Sequence, residues 1–359
     1  MRTIQWQDGR VRMIDQRLLP TREEDLLCTE WSEVAFAISD MAIRGAPAIG
    51  AAAGYGLALA AREVRRLPLA EARRALDEAA AGLVATRPTA VNLKWAVDRV
   101  LATVGAAEPG DAEALAELVL NEAQAIADED AKVNETLGRF GAELIPAGAN
   151  VLTHCNAGAL ATVEWGTALS VIVQAHRAGK NIHVWVDETR PRQQGARLTA
   201  WELHREGVPM TLIADTAAGF YFQRGKVDAV VVGSDRVTAN GDVVNKIGTY
   251  KVALLAREHG VPFYAALPLS TVDMGTPTGG DVAIEERSED EVLYVDGSRI
   301  APEGVRAANP AFDVTPHEMV SGIITEVGVL RPPYAEALAR AFARPRGSGS
   351  SAKGDTGGV

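Results

Sequence analysis

From residue 151 onward, short unbroken apolar runs alternate with amphipathic stretches, and few folds accept that rhythm. The runs are 151–155 (VLTHC), 182–188 (IHVWVDE), 210–215 (MTLIAD), 228–235 (DAVVVGSD) and 262–267 (PFYAAL). Between them lie helical stretches ending near Gly179 and Gly207, a short helix, and a helix from about Lys246 to His259. A strand that is apolar at every position has no face for water, so its sheet must be covered on both sides. Strands alternating with helices provide that cover in a parallel sheet. The expectation is a Rossmann-like doubly wound α/β domain over residues 146–340.

The first half reads differently. Ile4 and Trp6 alternate with polar residues, Asp8-Gly9 supplies a turn, and Val11 and Met13 resume the alternation, which predicts a β-hairpin. Leu93, Val97, Val100, Leu101 and Val104 share one helical face, as do Leu115, Leu118, Val119 and Ile126. The uncharged stretch 45–61 is rich in Ala and Gly and shorter than a membrane span of about 20 residues. It reads as a tightly packed buried helix. Residues 1–145 are therefore expected to form a hairpin and a helical domain, with Pro146-Ala147-Gly148 as the boundary. Thr315, Pro316 and Glu318 have the pattern of a capped helix start. The Gly/Ser-rich stretch 347–359 reads as a disordered tail.

A net charge of −11 argues against a nucleic-acid partner and against an anionic membrane surface, while leaving room for a local basic pocket. Two cysteines, Cys28 and Cys155, are too few for a disulfide scaffold. The polar N-terminal stretch lacks a secretory apolar segment, so a cytoplasmic protein is expected. The six histidines form no H-E-x-x-H and no close ligand spacing, so no metal is expected. No G-x-G-x-x-G or G-x-x-x-x-G-K-[ST] occurs, so neither a nicotinamide cofactor nor a P-loop has support.

Ligands of open α/β sheets sit beyond the carboxyl ends of the strands. Cys155, Asp187, Asp215 and Asp235 fall there. Oriented amides after the first strand would lower the Cys155 pKa and make a thiolate; the alternative is a small buried hydrophobe. Desolvation at the lip of the 228–235 run would raise the Asp235 pKa and suit a general acid; the alternative is a helix cap or a partner for Arg236. Asp187 and Asp215 read as caps or loop braces. Lys246 and the amides of a helix beginning after 240–248 would hold an anion, or Lys246 is simply solvated. Arg44, alone in an uncharged stretch, needs a phosphate or a structural ion pair. Arg87 is placed similarly between helical runs, or is a solvated loop arginine. His154 reads as packing or hydrogen-bonding, and Cys28, in the helical half beside Leu26, Leu27 and Trp31, reads as packing.

Taken together, RGAPAIG (44–50), NLKWA (92–96), THCNAGALAT (153–162), DETRPRQQGARLTAWEL (187–203), GSDRVTANGDVVNKIGTY (233–250) and NPAFDVTPHEM (309–319) resemble the methylthioribose-1-phosphate isomerase family. That family is grouped with the regulatory subunits of translation initiation factor 2B and with ribose-1,5-bisphosphate isomerases. The resemblance runs from the hairpin to about Tyr334. It implies an aldose–ketose isomerase acting on 5-methylthioribose 1-phosphate in methionine salvage, without cofactor and as a homodimer. It implies Cys155 and Asp235 as the catalytic pair. It implies substrate contacts at Arg44, Gly45, Ala46, Arg87, Gln194, Asn245 and Lys246. Arg192 and Gln193 stand where relatives often carry apolar residues, and the following GARLTAWEL keeps the register of Gln194. In that chemistry a protonated Asp235 would open the ring and Cys155 would serve as base or electrostatic partner. Trp165, Phe220 and Tyr221 are candidates for the C5 pocket, or core. The alternatives are an isomerase of another 1-phosphorylated pentose, such as ribose 1,5-bisphosphate or a 5-deoxy analogue, and a non-catalytic regulatory module.

Overall fold

A computed structural model describes residues 1–87 and 90–343. The stretch 347–359, expected to be a disordered tail, lies outside them. Strands β1 (Ile4–Gln7) and β2 (Arg10–Ile14) form the hairpin, with Ile4 opposite Met13 and Trp6 opposite Val11. A third strand, β3 (Asp25–Cys28), pairs with β2 and corrects the placement of Leu26, Leu27 and Cys28 in the helical half. Four residues are too few for periodicity to reveal a strand.

Helices α1 (Trp31–Ser39), α2 (Ala46–Glu63), α3 (Leu69–Thr86), α4 (Val91–Ala107) and α5 (Ala112–Glu143) follow. Residues Ala48 to Ala61 of α2 are all buried, because the other four helices pack around it. A helix covered on every side needs small side chains to let its neighbours approach, which explains its Ala and Gly content. Asp111 caps α5 by accepting from the Ala114 amide at 2.8 Å. The first part of α5 (Leu115, Val119, Ile126) lies in the N-terminal core, and its last turns (Leu137, Ala142) pack on the large sheet.

The second half contains β4 (Asn150–Thr153), α6 (Ala168–Arg177), β5 (His183–Asp187), α7 (Ala200–Arg205), β6 (Met210–Ile213), α8 (Ala218–Gln223) and β7 (Ala229–Val232). It continues with β8 (Arg236–Thr238), β9 (Val243–Lys246), α9 (Thr249–Glu258), β10 (Phe263–Ala266) and β11 (Val272–Asp273). The remaining elements are α10 (Asp290–Leu293), β12 (Tyr294–Val295), β13 (Ser298–Arg299), β14 (Phe312–Thr315), β15 (Gly322–Thr325), β16 (Gly328–Leu330) and α11 (Tyr334–Ala343). Seven strands form one sheet in the order β16-β15-β10-β7-β4-β5-β6, parallel except for the edge strand β16. Ala229 and Val231 face the cluster of α5 and α6, whereas Val230 and Val232 face that of α8, α9 and α11. This is the doubly wound α/β arrangement, and it explains why the strands carry no polar alternation.

A smaller sheet, β11-β8-β9-β14, was not foreseen and corrects two expectations. Residues 243–246 are a buried strand instead of the run-in to a helix, and α9 starts only at Thr249. Thr315 ends β14, opposite Val243, instead of capping a helix, and His317–Met319 make a single 3-10 turn. β8 and β9 form a short local hairpin, but β11 and β14 join it from more than 25 residues further along the chain, and strands of two to four residues leave little pattern to read.

Candidate active site

Sheet order positions the site. After β6 the chain returns across β5 and β4 and lays β7 on the far side of β4. The loops leaving β4 and β7 therefore turn away from each other, and a crevice opens between them. Cys155 lies just past β4 and Asp235 just past β7, and both line one cleft of about 180 Å³. Arg44, Gly45, Ala46, Arg87, Gln194, Asn245 and Lys246 line the same cleft.

Cys155 is held by its backbone in a left-handed conformation (φ 66°). Its amide donates to Thr189 Oγ1 at 2.8 Å, and its carbonyl accepts from Thr199 Oγ1 at 2.6 Å. Thr189 is braced in turn by Asp215, which accepts from the Thr189 and Arg190 amides at 2.7 Å each. The lowered thiol pKa expected from oriented amides is not found. Burial pushes the Cys155 thiol up, partly offset by Arg44 and Lys246. The Asn156 amide does reach the sulfur and lowers its pKa, but burial outweighs it, and the Ala159 and Leu160 amides donate to the buried Glu202 carboxylate. Next to Cys155, His154 Nδ1 lies 2.8 Å from the Asp187 carboxylate and Nε2 lies 2.8 Å from the Ile247 carbonyl, so each ring nitrogen has a hydrogen-bond partner. His154 thereby ties the ends of β4, β5 and β9 together. His154, Asp187 and Asp215 also bring three ligand-type atoms within 4.8 Å of one another, although the sequence spacing shows no such cluster. The hydrogen bonds just described already engage all three residues.

The Asp235 backbone is pinned by its amide donating to the Val244 carbonyl at 2.9 Å. Arg236 turns away to Asp273 at 3.1 Å, so it is not the partner of Asp235. The Asp235 carboxylate makes no hydrogen bond or ion pair among the described residues, which leaves it available to a ligand.

Cations surround this pair. Arg44 donates to Asn156 Oδ1 and, at 2.7 Å, to the Asn156 carbonyl, and it makes no ion pair with a carboxylate among the described residues. Glu202 sets the orientation of Asn156 by accepting from its Nδ2 at 2.8 Å. Gly45 has φ 99°, and a Cβ there would lie 2.4 Å from the Ala161 backbone, so α2 can begin against the thiol loop only with glycine. Lys246 is buried, donates to the Ala311 carbonyl at 2.9 Å and lies 4.5 Å from the Phe312 ring centre. Burial pushes its ammonium pKa down. Arg87 is likewise lowered, first by burial and then by Arg287. Gln194 is buried, and its Oε1 has no hydrogen-bond partner among the described residues. A Cβ at Gly195 would meet the Asp187 carbonyl at 1.7 Å, so glycine lets this turn close under the cleft. Asn245 Nδ2 donates to Thr249 Oγ1 at 3.0 Å.

One expected contribution is taken by the protein itself. The Gly248 and Tyr250 amides at the start of α9 donate to Asp313 at 2.7 and 3.1 Å. That helix end is thus filled by an internal carboxylate, and Lys246 enters the cleft from β9. Trp165, Phe220 and Tyr221 do not line the cleft. Trp165 lies under Arg177, Tyr221 stacks on Trp185 and Phe220 is exposed. The larger apolar side chains of the lining are Met41, Pro47, Leu198, Pro268 and Phe312. Arg287 also lines the cleft and was missed, because its segment shows no periodicity.

Residues 42–332 match the family described as the Initiation factor 2 subunit family. A methylthioribose-1-phosphate isomerase from Pelotomaculum thermopropionicum is 54% identical over 337 residues, covering 94% of this chain and 93% of that protein. The crystal structure of 5-methylthioribose 1-phosphate isomerase from Pyrococcus horikoshii OT3 is similar with a TM-score of 0.90 at 50% identity, covering 95% of each chain. The crystal structure of the translation initiation factor eIF-2B, subunit delta, from A. fulgidus is similar with a TM-score of 0.85 at 47% identity, covering 94% of this chain and 99% of that one.

Proposed function

This chain belongs to the Initiation factor 2 subunit family, and from that premise and the chemistry of its cleft we propose that it converts 5-methylthioribose 1-phosphate into 5-methylthioribulose 1-phosphate. It is an aldose–ketose isomerase of methionine salvage. The observation that carries this reading is the meeting of the Cys155 thiol and the Asp235 carboxyl in one cleft rimmed by cations. A module that only binds has no use for such a pair, which favours the isomerase over the translation-factor description of the A. fulgidus neighbour.

A ribose esterified with phosphate at C1 has no free aldehyde. Its ring opens when the ring oxygen gains a proton as the C1–O4 bond breaks. A hydrogen then passes from C2 to C1, and the C2 hydroxyl loses its proton as the ketone forms. The net reaction needs one proton donor and one acceptor. Because burial keeps Cys155 as the thiol, it supplies the proton to the ring oxygen, and Asp235 accepts at C2 or its hydroxyl. The resemblance implies the two roles the other way round, with Asp235 as the acid, and the burial of the thiol is what favours the present assignment. Deuterium at C2 separates the two routes for that hydrogen: washout marks an enediol-like species, and retention at C1 marks a direct shift. Arg44, Arg87, Lys246 and the turn at Gly45-Ala46 hold the phosphate, while Gln194 and Asn245 orient the sugar. Met41, Leu198 and Phe312 offer an apolar wall for the methylthio group.

Family resemblance also supports a homodimer, which light scattering of the purified protein tests. A cytoplasmic setting is supported by two free thiols. No helix among the described residues is long and apolar enough to cross a membrane. The decisive experiment incubates purified protein with 5-methylthioribose 1-phosphate and, separately, ribose 1,5-bisphosphate, and follows ketose formation by NMR. Turnover of the first and not the second is expected. Failure to form ketose from the first would overturn the reading.

A further inference from the structure

The chain between β11 and β14 brings a further cation over the cleft. Arg287 lines it with a side chain only 9% exposed. Its backbone is clamped: the Arg287 amide donates to the Asn309 carbonyl at 3.0 Å, and the Ala311 amide donates to the Glu285 carbonyl at 2.8 Å. Asn309 Nδ2 adds bonds to the Ser288 carbonyl at 2.9 Å and to Glu291 Oε2 at 3.0 Å. Ala311 also receives the Lys246 ammonium, so Arg287 and Lys246 are fixed to the same short stretch of chain.

The side chains are less complete. Arg287 Nε donates to Glu285 Oε1 at 3.0 Å, and its Nη1 lies 3.9 Å from the Met41 sulfur. Glu285 Oε2 is buried without a hydrogen bond among the described residues. Its nearest cation is Arg87 Nη2 at 3.9 Å, beyond hydrogen-bond reach. Arg87 itself makes no side-chain hydrogen bond among the described residues. One carboxylate thus stands between two guanidiniums and satisfies only one of them. A cluster of buried cations with so little acceptor capacity is costly unless an anion completes it. A phosphate monoester, with a charge of about −1.5 to −2, is of the right chemistry, and guanidinium forks match its oxygens.

We infer that Arg287 is a substrate-binding residue that grips the sugar phosphate's anion together with Arg87, and that Glu285 is the positioning carboxylate set between them. This rests on the sugar-phosphate reading above. Glu285 keeps the two guanidiniums apart and partly neutralised while the cleft is empty, and the phosphate becomes their shared acceptor on binding.

The test measures inorganic phosphate binding by calorimetry and phosphate inhibition of turnover, with thermal unfolding as the folding control. Arg287→Met keeps the packing against Met41 and should weaken phosphate by about 10- to 100-fold, the scale of hydrogen bonds to charged groups. KM for the sugar phosphate should rise in parallel, with kcat changing less. Arg287→Lys should recover much of the loss, which a packing role would not allow. Glu285→Gln should move the other way and tighten phosphate, because it removes a competing anion. Wild-type phosphate affinity in Arg287→Met overturns the inference, and so does weakening in Glu285→Gln equal to that in Arg287→Met. Should Arg287→Met fail to fold, the lysine and glutamine variants still decide by their opposite signs. Calorimetry needs no turnover, so a protein inert toward 5-methylthioribose 1-phosphate whose phosphate binding tracks Arg287 refutes the substrate and upholds the anion seat.

Discussion

Cys28 and Cys155 are both free, both buried thiols, yet their surroundings make them opposites. Cys28 sits in β3 opposite Val11, inside the N-terminal core, with Glu33 as its charged neighbour. Burial, reinforced by that carboxylate, pushes its pKa up to about 11. Cys155 is also raised by burial, but Arg44 and Lys246 pull against it and Asp235 shares its cleft. Burial alone makes a thiol inert. In the mechanism proposed above, the same burial beside fixed cations and a carboxylate lets Cys155 act as a proton donor whose product charge has partners waiting.

Four measurements break or sharpen this contrast. The largest effect is on turnover: Cys155→Ser and Asp235→Asn should each lower kcat by about 10²- to 10⁴-fold, the range of an acid–base group. Cys28→Ala should leave kcat near wild type, and an equal loss there would erase the distinction. Next, iodoacetamide labelling followed by peptide mapping should modify Cys155 well before Cys28. Inorganic phosphate should slow only the former, and the labelling rate should climb at alkaline pH because the thiol is raised. Third, Cys28→Ser should cost about 1–3 kcal/mol in urea unfolding, because it buries a hydroxyl with no partner. Cys155→Ser should cost less, since its hydroxyl faces a polar cleft. The smallest effect is linkage. Cys28 binds its proton more tightly folded than unfolded, so its contribution to stability is complete below the ordinary thiol value of about 8.5. That contribution is lost as pH rises toward about 11. The stability gap between wild type and Cys28→Ala should therefore narrow across that window, and a constant gap would show that Cys28 does not titrate in the core.

Why some of this was legible in sequence is plain from particular elements. Ala229–Val232 is buried on both faces, so its unbroken apolar run points to a covered sheet. Cys155 and Asp235 were locatable because strand ends are where such sheets bind ligands. By contrast, β9 is only four residues long, and of its two neighbours β8 is a three-residue strand and β14 lies more than 60 residues away. Thr315 and Pro316 satisfy a helix-start pattern, but pairing of Thr315 with Val243 overrides it. Arg287 and Glu285 lie in irregular chain whose only order is its clamp on 309–311, so nothing local marks them. Glu202 is a helical glutamate that nothing local marks, and only the fold brings it beneath Asn156.

Asp313 at the start of α9 has a consequence for how adaptable this scaffold is. A helix end cannot be edited by changing one residue, because its polarity belongs to the main chain. Here that polarity is cancelled internally. At this side of the cleft, selectivity is therefore written in replaceable side chains such as Lys246, and a few exchanges would retune the same frame for a neutral guest without disturbing its architecture.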